Sequence, residues 1–422
     1  MEMEDDLEQR LRQSLPALDY SQAEAKVQAR YRQVMSSRAY LGSGPRHIWP
    51  QRLPSALVAV LVMALVALGS IGVVRLAVLR DHHLATGPVV TKHAVAPVAQ
   101  AVGDWQLLSP ATNPLVNDLT ATMAYDAATG TVLLVIPDAL AGQPYLSETW
   151  SWNGSNWTQL QPATSPPPIE DAVMAYDAAN QTVVLFGGFV SQGPGFPQGE
   201  TWSNQTWVWD GSNWTPMNPA ASPPARAGAA MAYDPANQGL LLFGGCALQF
   251  PSAMAPLCHG SFSDTWVWNG SNWTQLHPAA SPPAANGAAM AYDAGSGQMV
   301  LMGGADTSWS PIFNQTWVWN GTNWAQMQTA TNPPECTSPT LAYDSALGQV
   351  VMSSGDPGSC MTVPGIIGTW GWNGTNWSQL ATSGLLSSVL EEGAVMAYDA
   401  NSQSLVGFVW QPTGQSSTWT WK

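Results

Sequence analysis

Short apolar and alternating segments recur at nearly regular intervals through the C-terminal three quarters of the chain. The motif Met-Ala-Tyr-Asp, replaced once by Leu-Ala-Tyr-Asp, marks six such repeats, which begin at Met123, Met174, Met231, Met290, Leu341 and Met396. Successive motifs start between 51 and 59 residues apart. A period of this length is typical of propeller blades and exceeds that of helical or leucine-rich repeats.

Each repeat predicts four short strands. In the third repeat, residues 229–234 (AAMAYD) alternate, and residues 240–245 (LLLFGG) form a continuous apolar run that ends in two glycines. Two further segments, TWVW and NWTQL, follow a long loop and flank the turn Asn-Gly-Ser-Asn. An Asn-Gly step between two such segments favours a β-hairpin. The predicted order is therefore strand, strand, long loop and hairpin.

Tryptophans of the hairpin segment recur in every repeat and are predicted to be structural. Near copies of TWVWNGSNWTQL begin at Thr149, Thr206, Thr265, Thr316 and Thr369. A residue that recurs in every blade serves the blade geometry, so we expect these rings to pack between neighbouring sheets, each burying on the order of 200 Å². The Asp of each Tyr-Asp pair is expected to accept backbone hydrogen bonds in the following turn. The repeated Asn-X-Ser/Thr sequences are interpreted as part of the hairpin and not as glycosylation sites.

The strand order, the tryptophan pairs and the diglycines at 187–188, 244–245 and 303–304 resemble the kelch repeat and the central propeller of the galactose oxidase family. The resemblance covers residues 104–422. It departs from the family in a shorter hairpin turn and in the replacement of the diglycine in repeats one, five and six. It implies an all-β, six-bladed, kelch-like propeller with four-stranded blades. The last repeat lacks its fourth strand, and residues 104–108 (DWQLL) match that strand, so the N-terminal strand is predicted to complete the last blade.

A run of 20 uncharged, mostly apolar residues, 55–74, precedes the repeats. At about 1.5 Å per residue, a helix of this length crosses the roughly 30 Å hydrocarbon core of a membrane. Residues 53–80 are therefore predicted to form a single transmembrane helix. The alternative is a cleaved signal peptide, but the 52 preceding residues are long for its charged region, and the nearest small-residue cleavage sequence, at 99–101, lies far beyond the apolar run.

Charge is distributed unevenly about the predicted span. Eight of the 13 Lys and Arg residues precede it, whereas residues 104–422 contain only Arg226 and Lys422 beside 20 acidic residues. This asymmetry favours a cytoplasmic N-terminus and a propeller outside the cytoplasm at the cell membrane. It also argues against nucleic acid as a partner, since a basic stripe would be expected for one.

Two segments flank the predicted span. Residues 1–52 carry apolar positions at helical spacing and are predicted to form a cytoplasmic amphipathic segment, which either docks on a cytoplasmic partner or remains a solvated tail. Residues 81–103 contain Pro, Gly and many Ala and Val, which is typical of an extended linker between membrane and propeller.

The four cysteines form two pairs by position. Cys246 and Cys258 lie in one loop of the third repeat, and Cys336 and Cys360 lie before the first strand and after the second strand of the fifth. These connections emerge on one face of a blade, so each pair can close a disulfide in an oxidising compartment. The alternative is four unpaired core cysteines. Metal binding is disfavoured because no second histidine or cysteine has ligand spacing in either loop.

Two sets of loops vary between repeats and emerge on the same face, which makes them the candidate binding site. The connections entering the first strands carry acids and one arginine that are expected to ring the channel mouth, and the loops between second and third strands carry aromatics. Rings beside carboxylates suit a carbohydrate or peptide ligand, and Ca²⁺ fits the carboxylates. The alternative is that the aromatics pack under their own loops. The candidate ligand-binding residues are Asp118, Glu170, Asp171, Arg226, Glu391, Glu392, Trp202, Trp309, Phe313 and Trp410.

The family resemblance implies oxidase chemistry only where the copper ligands are present. A copper site of the galactose oxidase type uses two histidines and two tyrosines, and this propeller contains only His259 and His277, in unrelated segments. A sialidase-type site needs an arginine cluster, and Arg226 is the only arginine of the domain. Glycoside hydrolysis by paired carboxylates stays open. We therefore predict non-catalytic binding of a protein or glycan without a cofactor. The alternatives are a transmembrane sensor that signals through residues 1–52 and, less favoured, a carbohydrate-active enzyme.

Overall fold

The computed structural model describes residues 103–116, 120–137, 146–190, 201–247, 260–305, 315–334, 336, 338–354, 368–383, 393–411 and 414–422. In these ranges the regular elements are β-strands, arranged as six four-stranded antiparallel sheets and two smaller sheets. The predicted N-terminal segment, the predicted membrane span and nearly all of the linker lie outside the described residues. Within the described ranges, no helix has the length and apolar character needed to cross a membrane.

Each four-stranded sheet is one blade, and the blades follow the repeats. The strand that comes first in the chain is β1 (Trp105–Leu107). Blade 1 contains β2 (Thr122–Asp126), β3 (Thr131–Pro137), β4 (Ser147–Trp152) and β5 (Trp157–Leu160). Blade 2 and the small sheet above it contain β6 (Ile169–Glu170), β7 (Val173–Asp177), β8 (Thr182–Phe186), β9 (Phe189–Val190), β10 (Thr201–Trp202), β11 (Thr206–Trp209) and β12 (Trp214–Pro216).

The remaining strands repeat this arrangement. Blade 3 and the two-stranded sheet above it, β15-β16, contain β13 (Ala230–Asp234), β14 (Gly239–Phe243), β15 (Cys246–Ala247), β16 (Gly260–Ser261), β17 (Thr265–Trp268) and β18 (Trp273–Leu276). Blade 4 contains β19 (Ala289–Asp293), β20 (Gln298–Met302), β21 (Trp317–Trp319) and β22 (Trp324–Gln326). Blades 5 and 6 contain β23 (Pro339–Asp344), β24 (Gln349–Ser354), β25 (Thr369–Trp372), β26 (Trp377–Ala381), β27 (Gly393–Asp399), β28 (Ser404–Trp410) and β29 (Ser416–Trp421).

The N-terminal strand completes the last blade, as predicted. β1 pairs with β29 in antiparallel register, with Trp105 opposite Trp421, in a sheet of order β1-β29-β28-β27. Backbone bonds of Asp104 with Lys422, in both directions, extend this pairing by one residue. Closure removes the free edge that β29 would otherwise present.

The apolar core is divided into six clusters, one between each pair of neighbouring blades. Blades 1 and 2, 2 and 3, 3 and 4, 4 and 5, and 5 and 6 each share one, and a sixth joins blade 6 to blade 1. The first strands of successive blades also contact one another all the way round, including β2 with β27. The blades therefore form a closed six-bladed ring around a central channel.

The repeated tryptophans are architectural, as predicted. The fourth-strand tryptophan of each blade donates its indole N–H to the threonine that begins the TW motif of the preceding blade, at 2.7–3.0 Å. The six pairs are Trp105–Thr369, Trp157–Thr418, Trp214–Thr149, Trp273–Thr206, Trp324–Thr265 and Trp377–Thr316. Each pair joins two blades, so the tryptophans connect the whole ring. Trp105 occupies the same place as the five others, which makes β1 equivalent to the internal fourth strands.

The polar residues of the repeat form hydrogen bonds that stabilise its turns. The buried Asp of each Tyr-Asp pair accepts backbone N–H bonds from the following turn, as Asp126 does from Ala128. In the hairpins, Asn153 accepts bonds from residues 155 and 156, and Asn156 accepts one from Thr112 of the connection leaving blade 6. The Asn-X-Ser/Thr sequences thus follow from hairpin geometry, in agreement with the interpretation from sequence.

The diglycines set the point at which the second strand of a blade ends and the chain turns. In blades 2, 3 and 4 both glycines have positive φ, and the second strand ends before them after five residues. In blades 1, 5 and 6, where other residues replace the pair, the second strand runs straight for six or seven residues. Gly188 shows why glycine is needed, because a Cβ there would collide with Ile169 and with the carbonyl oxygen of Glu170. Extra pairing above the blade is therefore found, in the described residues, only in blades 2 to 4.

Candidate functional site

The small sheet above blade 2 brings an acid and two aromatic rings into one row. Its strand order is β10-β9-β6, with Glu170 opposite Phe189 and Phe189 opposite Trp202. Directly opposed residues of antiparallel strands place their side chains on the same face. Glu170, Phe189 and Trp202 therefore form a continuous row, which we call the blade 2 row. The rings of Phe189 and Trp202 lie 5.8 Å apart between centroids, at 38°.

The other face of this small sheet belongs to the core. Ile169 is 4% exposed and lies in the cluster between blades 1 and 2, and Val190 packs against the same cluster. Since side chains alternate along a strand, the blade 2 row points away from that core. All three of its residues are only half-buried. The row is therefore part of the surface on the loop face.

Equivalent positions in the neighbouring blades carry different residues. Above blade 3 the corresponding row is Ala227, Cys246 and Ser261, of which the first two are buried. Above blade 4 only Asn286 and Ala305 pair. Among these three blades, the combination of a carboxylate with two rings is confined to blade 2. This asymmetry on a repeated frame distinguishes the row from the structural tryptophans below it.

Asp171 extends the row into a chain of contacts at the channel mouth. It lies three residues before the methionine of its motif, in the place held by Thr120, Gly228 and Gly287 in neighbouring blades. Its N–H donates to Thr120 Oγ1 at 2.7 Å, its carbonyl accepts from Gly228 N–H at 3.0 Å, and Gly228 in turn accepts from Gly287 at 2.8 Å. The entry segments of blades 1 to 4 are thus linked side by side at the mouth.

Asp171 occupies this place at an energetic cost. Its φ is +50°, a left-handed value that the equivalent Gly228 (+60°) and Gly287 (+72°) adopt without strain. Asp171 is exposed, but the protein around its carboxyl raises the pKa of that group by desolvation, and a hydrogen bond with Thr120 opposes this shift in part. A folded-state pKa above the unfolded value means that the ionised carboxylate lowers stability once the pH exceeds the unfolded pKa. Costs of this kind cluster at functional sites.

Arg226 has a structural role that differs from its predicted place at the channel mouth. It is fully buried, and its guanidinium forms a bidentate ion pair with Asp264 at 2.6 and 2.8 Å. It also donates to the carbonyls of Pro224 and Gly244 and stacks 3.9 Å above the ring of Phe262. A buried guanidinium with these partners has no surface to offer a ligand. The sequence could not show this, because Asp264 lies 38 residues away.

The ion pair between Arg226 and Asp264 has further partners in blades 2 and 3. Burial alone would raise the pKa of Asp264, but the hydrogen bonds and charge of Arg226, with a further bond from the indole of Trp266, hold it below its ordinary value. The backbone of Arg226 also bonds to Gly188 and Ser203 of blade 2. Arg226 therefore joins blade 3 to the small sheet that carries the blade 2 row.

Trp410 is likewise buried, against its prediction as an exposed loop aromatic. It is 5% exposed and ends β28, which continues straight because blade 6 lacks the diglycine. Its ring packs near Phe408 in the cluster between blades 6 and 1. Of the remaining candidates, Asp118, Glu391, Glu392, Trp309 and Phe313 lie outside the described residues, so their roles stay predictions.

The described residues test the predictions about disulfides and metal binding only in part. Cys246 and Cys336 are both 1% exposed, and their predicted partners Cys258 and Cys360 lie outside the described residues. The two disulfides stay predictions. No group of three or more His, Cys, Asp or Glu side chains in the described ranges is arranged to hold a metal ion. The Ca²⁺ that the loop carboxylates could hold, which was an option beside the prediction of no cofactor, therefore has no support from that part of the chain.

Phe189 is the site residue that sequence reasoning did not select. It follows directly after the diglycine, so its alignment with Glu170 and Trp202 depends on the turn that the two glycines make. The signal available in the sequence was its position immediately after a diglycine that also precedes Cys246 and Ala305 in blades 3 and 4. Comparing those three positions would have identified the aromatic one.

Comparison with known proteins supports the fold. No protein-family model matches the chain, and no curated protein matches its sequence. Among solved structures, one titled "Structure of YjhT", a propeller-like protein, is similar with a TM-score of 0.50 and 15% identity, over 74% of this chain and 95% of that one. At this identity the similarity concerns fold alone, and it agrees with a chain that is an all-β, six-bladed propeller.

Proposed function

We propose that the propeller is a non-catalytic binding module whose protein or glycan ligand occupies the blade 2 row and the adjoining Asp171. The observation that carries this proposal is the asymmetry of the site. Six blades share their tryptophans, aspartates and turns, whereas a half-buried Glu-Phe-Trp row stands above blade 2 in contrast to blades 3 and 4. Aromatic surface beside a few polar groups is the usual composition of a ligand site.

The cost of Asp171 supports the same proposal. Glycine would fit its backbone conformation without strain, and a neutral side chain would avoid the desolvated charge. The exposed carboxylate stands at a position where neighbouring blades have Thr or Gly, so we assign it to ligand binding. We therefore assign Asp171 to the binding surface together with Glu170, Phe189 and Trp202.

A thermal-shift screen of the purified protein tests this function. A ligand present at 100 times its Kd stabilises the folded state by about 2.7 kcal/mol. We expect at least one member of a panel of glycans, cell-wall fragments and extracellular proteins to raise the melting temperature of the wild type and not that of Trp202→Ala. Leu107→Ala serves as the control, because Leu107 is exposed on the outer strand β1. A shift retained in Trp202→Ala, or lost equally in Leu107→Ala, would argue against the blade 2 row.

The proposed setting of the module is the outer side of a cell membrane. It is supported by the apolar run at 55–74, the charge asymmetry around it and the acidic propeller. In this setting the segment 1–52 lies in the cytoplasm, where it would allow a sensor function, and the pairs Cys246–Cys258 and Cys336–Cys360 form disulfides.

Both features of this setting can be measured on one membrane preparation. We expect the full chain to remain in the membrane after alkaline carbonate extraction, because a spanning helix resists it. Non-reducing mass mapping of the same sample should recover both cysteine-linked peptide pairs. Free thiols at all four positions, or release of the protein by carbonate, would contradict the setting without affecting the binding surface.

A further inference from the structure

We infer that the blade 2 row binds a glycan without acidic groups and discriminates against acidic ones. This inference rests on the proposed function and adds the chemical class of the ligand. It depends on three observations: the arrangement of the two rings, the carboxylates beside them, and the placement of the positive charges in the propeller.

The two rings contact each other and form no cage for a cation. With centroids 5.8 Å apart and a tilt of 38°, Phe189 and Trp202 contact each other directly. No ammonium group fits between rings that already touch, so a cation would meet at most one ring face at a time. Both rings are half-buried and offer apolar surface beside Glu170 instead. This surface suits stacking against the apolar face of a sugar ring.

The row is also long enough for an extended ligand. Its three residues lie on three adjacent strands, and neighbouring strands are about 4.8 Å apart. The row therefore spans about 10 Å from Glu170 to Trp202, with Asp171 directly after Glu170 in the chain. The carboxylates at one end can accept hydrogen bonds from sugar hydroxyls while the rings at the other end bury the ring carbons.

The described residues place no basic side chain at this surface. Residues 104–422 contain two basic residues, Arg226 and Lys422. Arg226 is buried in its ion pair with Asp264. Lys422 follows β29, which begins on the loop face and ends on the opposite face of the propeller. An acidic sugar on the row would face Glu170 and Asp171 with no basic side chain of the propeller to compensate its charge.

Calorimetric titration of the full chain with matched oligosaccharides tests the selectivity. The protein is kept in a detergent without a sugar headgroup, and three ligands share one linkage: a neutral hexose oligomer, its uronic acid counterpart and its amino sugar counterpart. We expect the neutral oligomer to bind at least tenfold more tightly than the uronic acid form. Glu170→Gln combined with Asp171→Asn should reduce that discrimination, because it removes both facing charges while nearly preserving shape.

Asp210→Asn is the control substitution. Asp210 lies in a hairpin turn on the opposite face, at a place where the other hairpins have asparagine, so its replacement should leave all three affinities unchanged. Binding of the uronic acid form as tight as that of the neutral or the amino form, or tighter, would overturn the selectivity while leaving the binding function intact. Failure of every sugar to bind would also overturn it, and the protein members of the thermal-shift panel then decide the proposed function separately.

Discussion

Deleting residues 104–108 is expected to lower the free energy of unfolding by at least about 3–5 kcal/mol, the usual cost of removing one large buried aromatic side chain. The deletion removes Trp105, which is 6% exposed and packs edge-on against Trp421. It also removes the indole N–H bond to Thr369 and leaves β29 as an open sheet edge. Scanning calorimetry should show the melting temperature falling by roughly 5–15 °C.

A pair of point substitutions controls for the deletion. Trp105→Ala and Trp157→Ala remove equivalent residues from the closing blade and from blade 1, and each loses one bond to a threonine of the preceding blade. We expect their effects to agree within about 1 kcal/mol, since the closing strand is equivalent to an internal one. A deletion that leaves the melting temperature within 1 °C of the wild type would contradict closure by β1.

Arg226→Met is expected to destabilise the protein by about 3–5 kcal/mol, the usual cost of leaving a buried charge without its partner. The substitution keeps much of the side-chain volume but leaves the Asp264 carboxylate without its ion-pair partner, and the Asp264 side chain is only 18% exposed. It also removes the contact with the ring of Phe262. Denaturant titration at pH 7 measures the loss. The double variant Arg226→Met with Asp264→Leu should recover part of it, because no charge then remains buried.

The dependence of the free energy of unfolding on acidic pH gives a second measurement on the Arg226–Asp264 pair. The pKa of Asp264 is lower in the folded protein than in the unfolded chain, so its stabilisation is present above the unfolded value of about 3.9 and is lost as the pH falls through the folded one. In Arg226→Met this dependence should weaken or reverse, because burial without a partner favours the protonated acid. An Arg226→Met protein as stable as the wild type, with the same acid profile, would show that the ion pair contributes nothing.

Repetition made the fold predictable from sequence. Six copies of one motif placed the strands, and the orphan DWQLL matched the fourth strand of the other repeats closely enough to assign β1 to the last blade. The roles of Asp126 and Asn153 followed from turn chemistry within a few residues of each. In all these cases the deciding interaction is either local or repeated six times, so a pattern in the sequence records it.

The candidate site was predictable only in part, because its decisive contacts are neither local nor repeated. Glu170, Asp171 and Trp202 were selected by residue type in variable loops. The register that places Phe189 between Glu170 and Trp202 depends on the turn at Gly188, which brings strands together above the blade. Arg226 was misplaced for a similar reason, since its burial follows from the distant Asp264 and from Phe262. Trp410 was misplaced because a blade without the diglycine continues straight and keeps the ring in the core.

The paired substitutions Asp171→Asn and Asp210→Asn, measured in the thermal-shift screen, test the central claim most directly. Both remove one carboxylate at nearly constant shape, one beside the blade 2 row and one in a hairpin of the opposite face. We expect Asp171→Asn to be at least as stable as the wild type without ligand and to lose the ligand-induced shift, while Asp210→Asn retains that shift. A ligand that stabilises both variants equally would contradict a binding site at the blade 2 row.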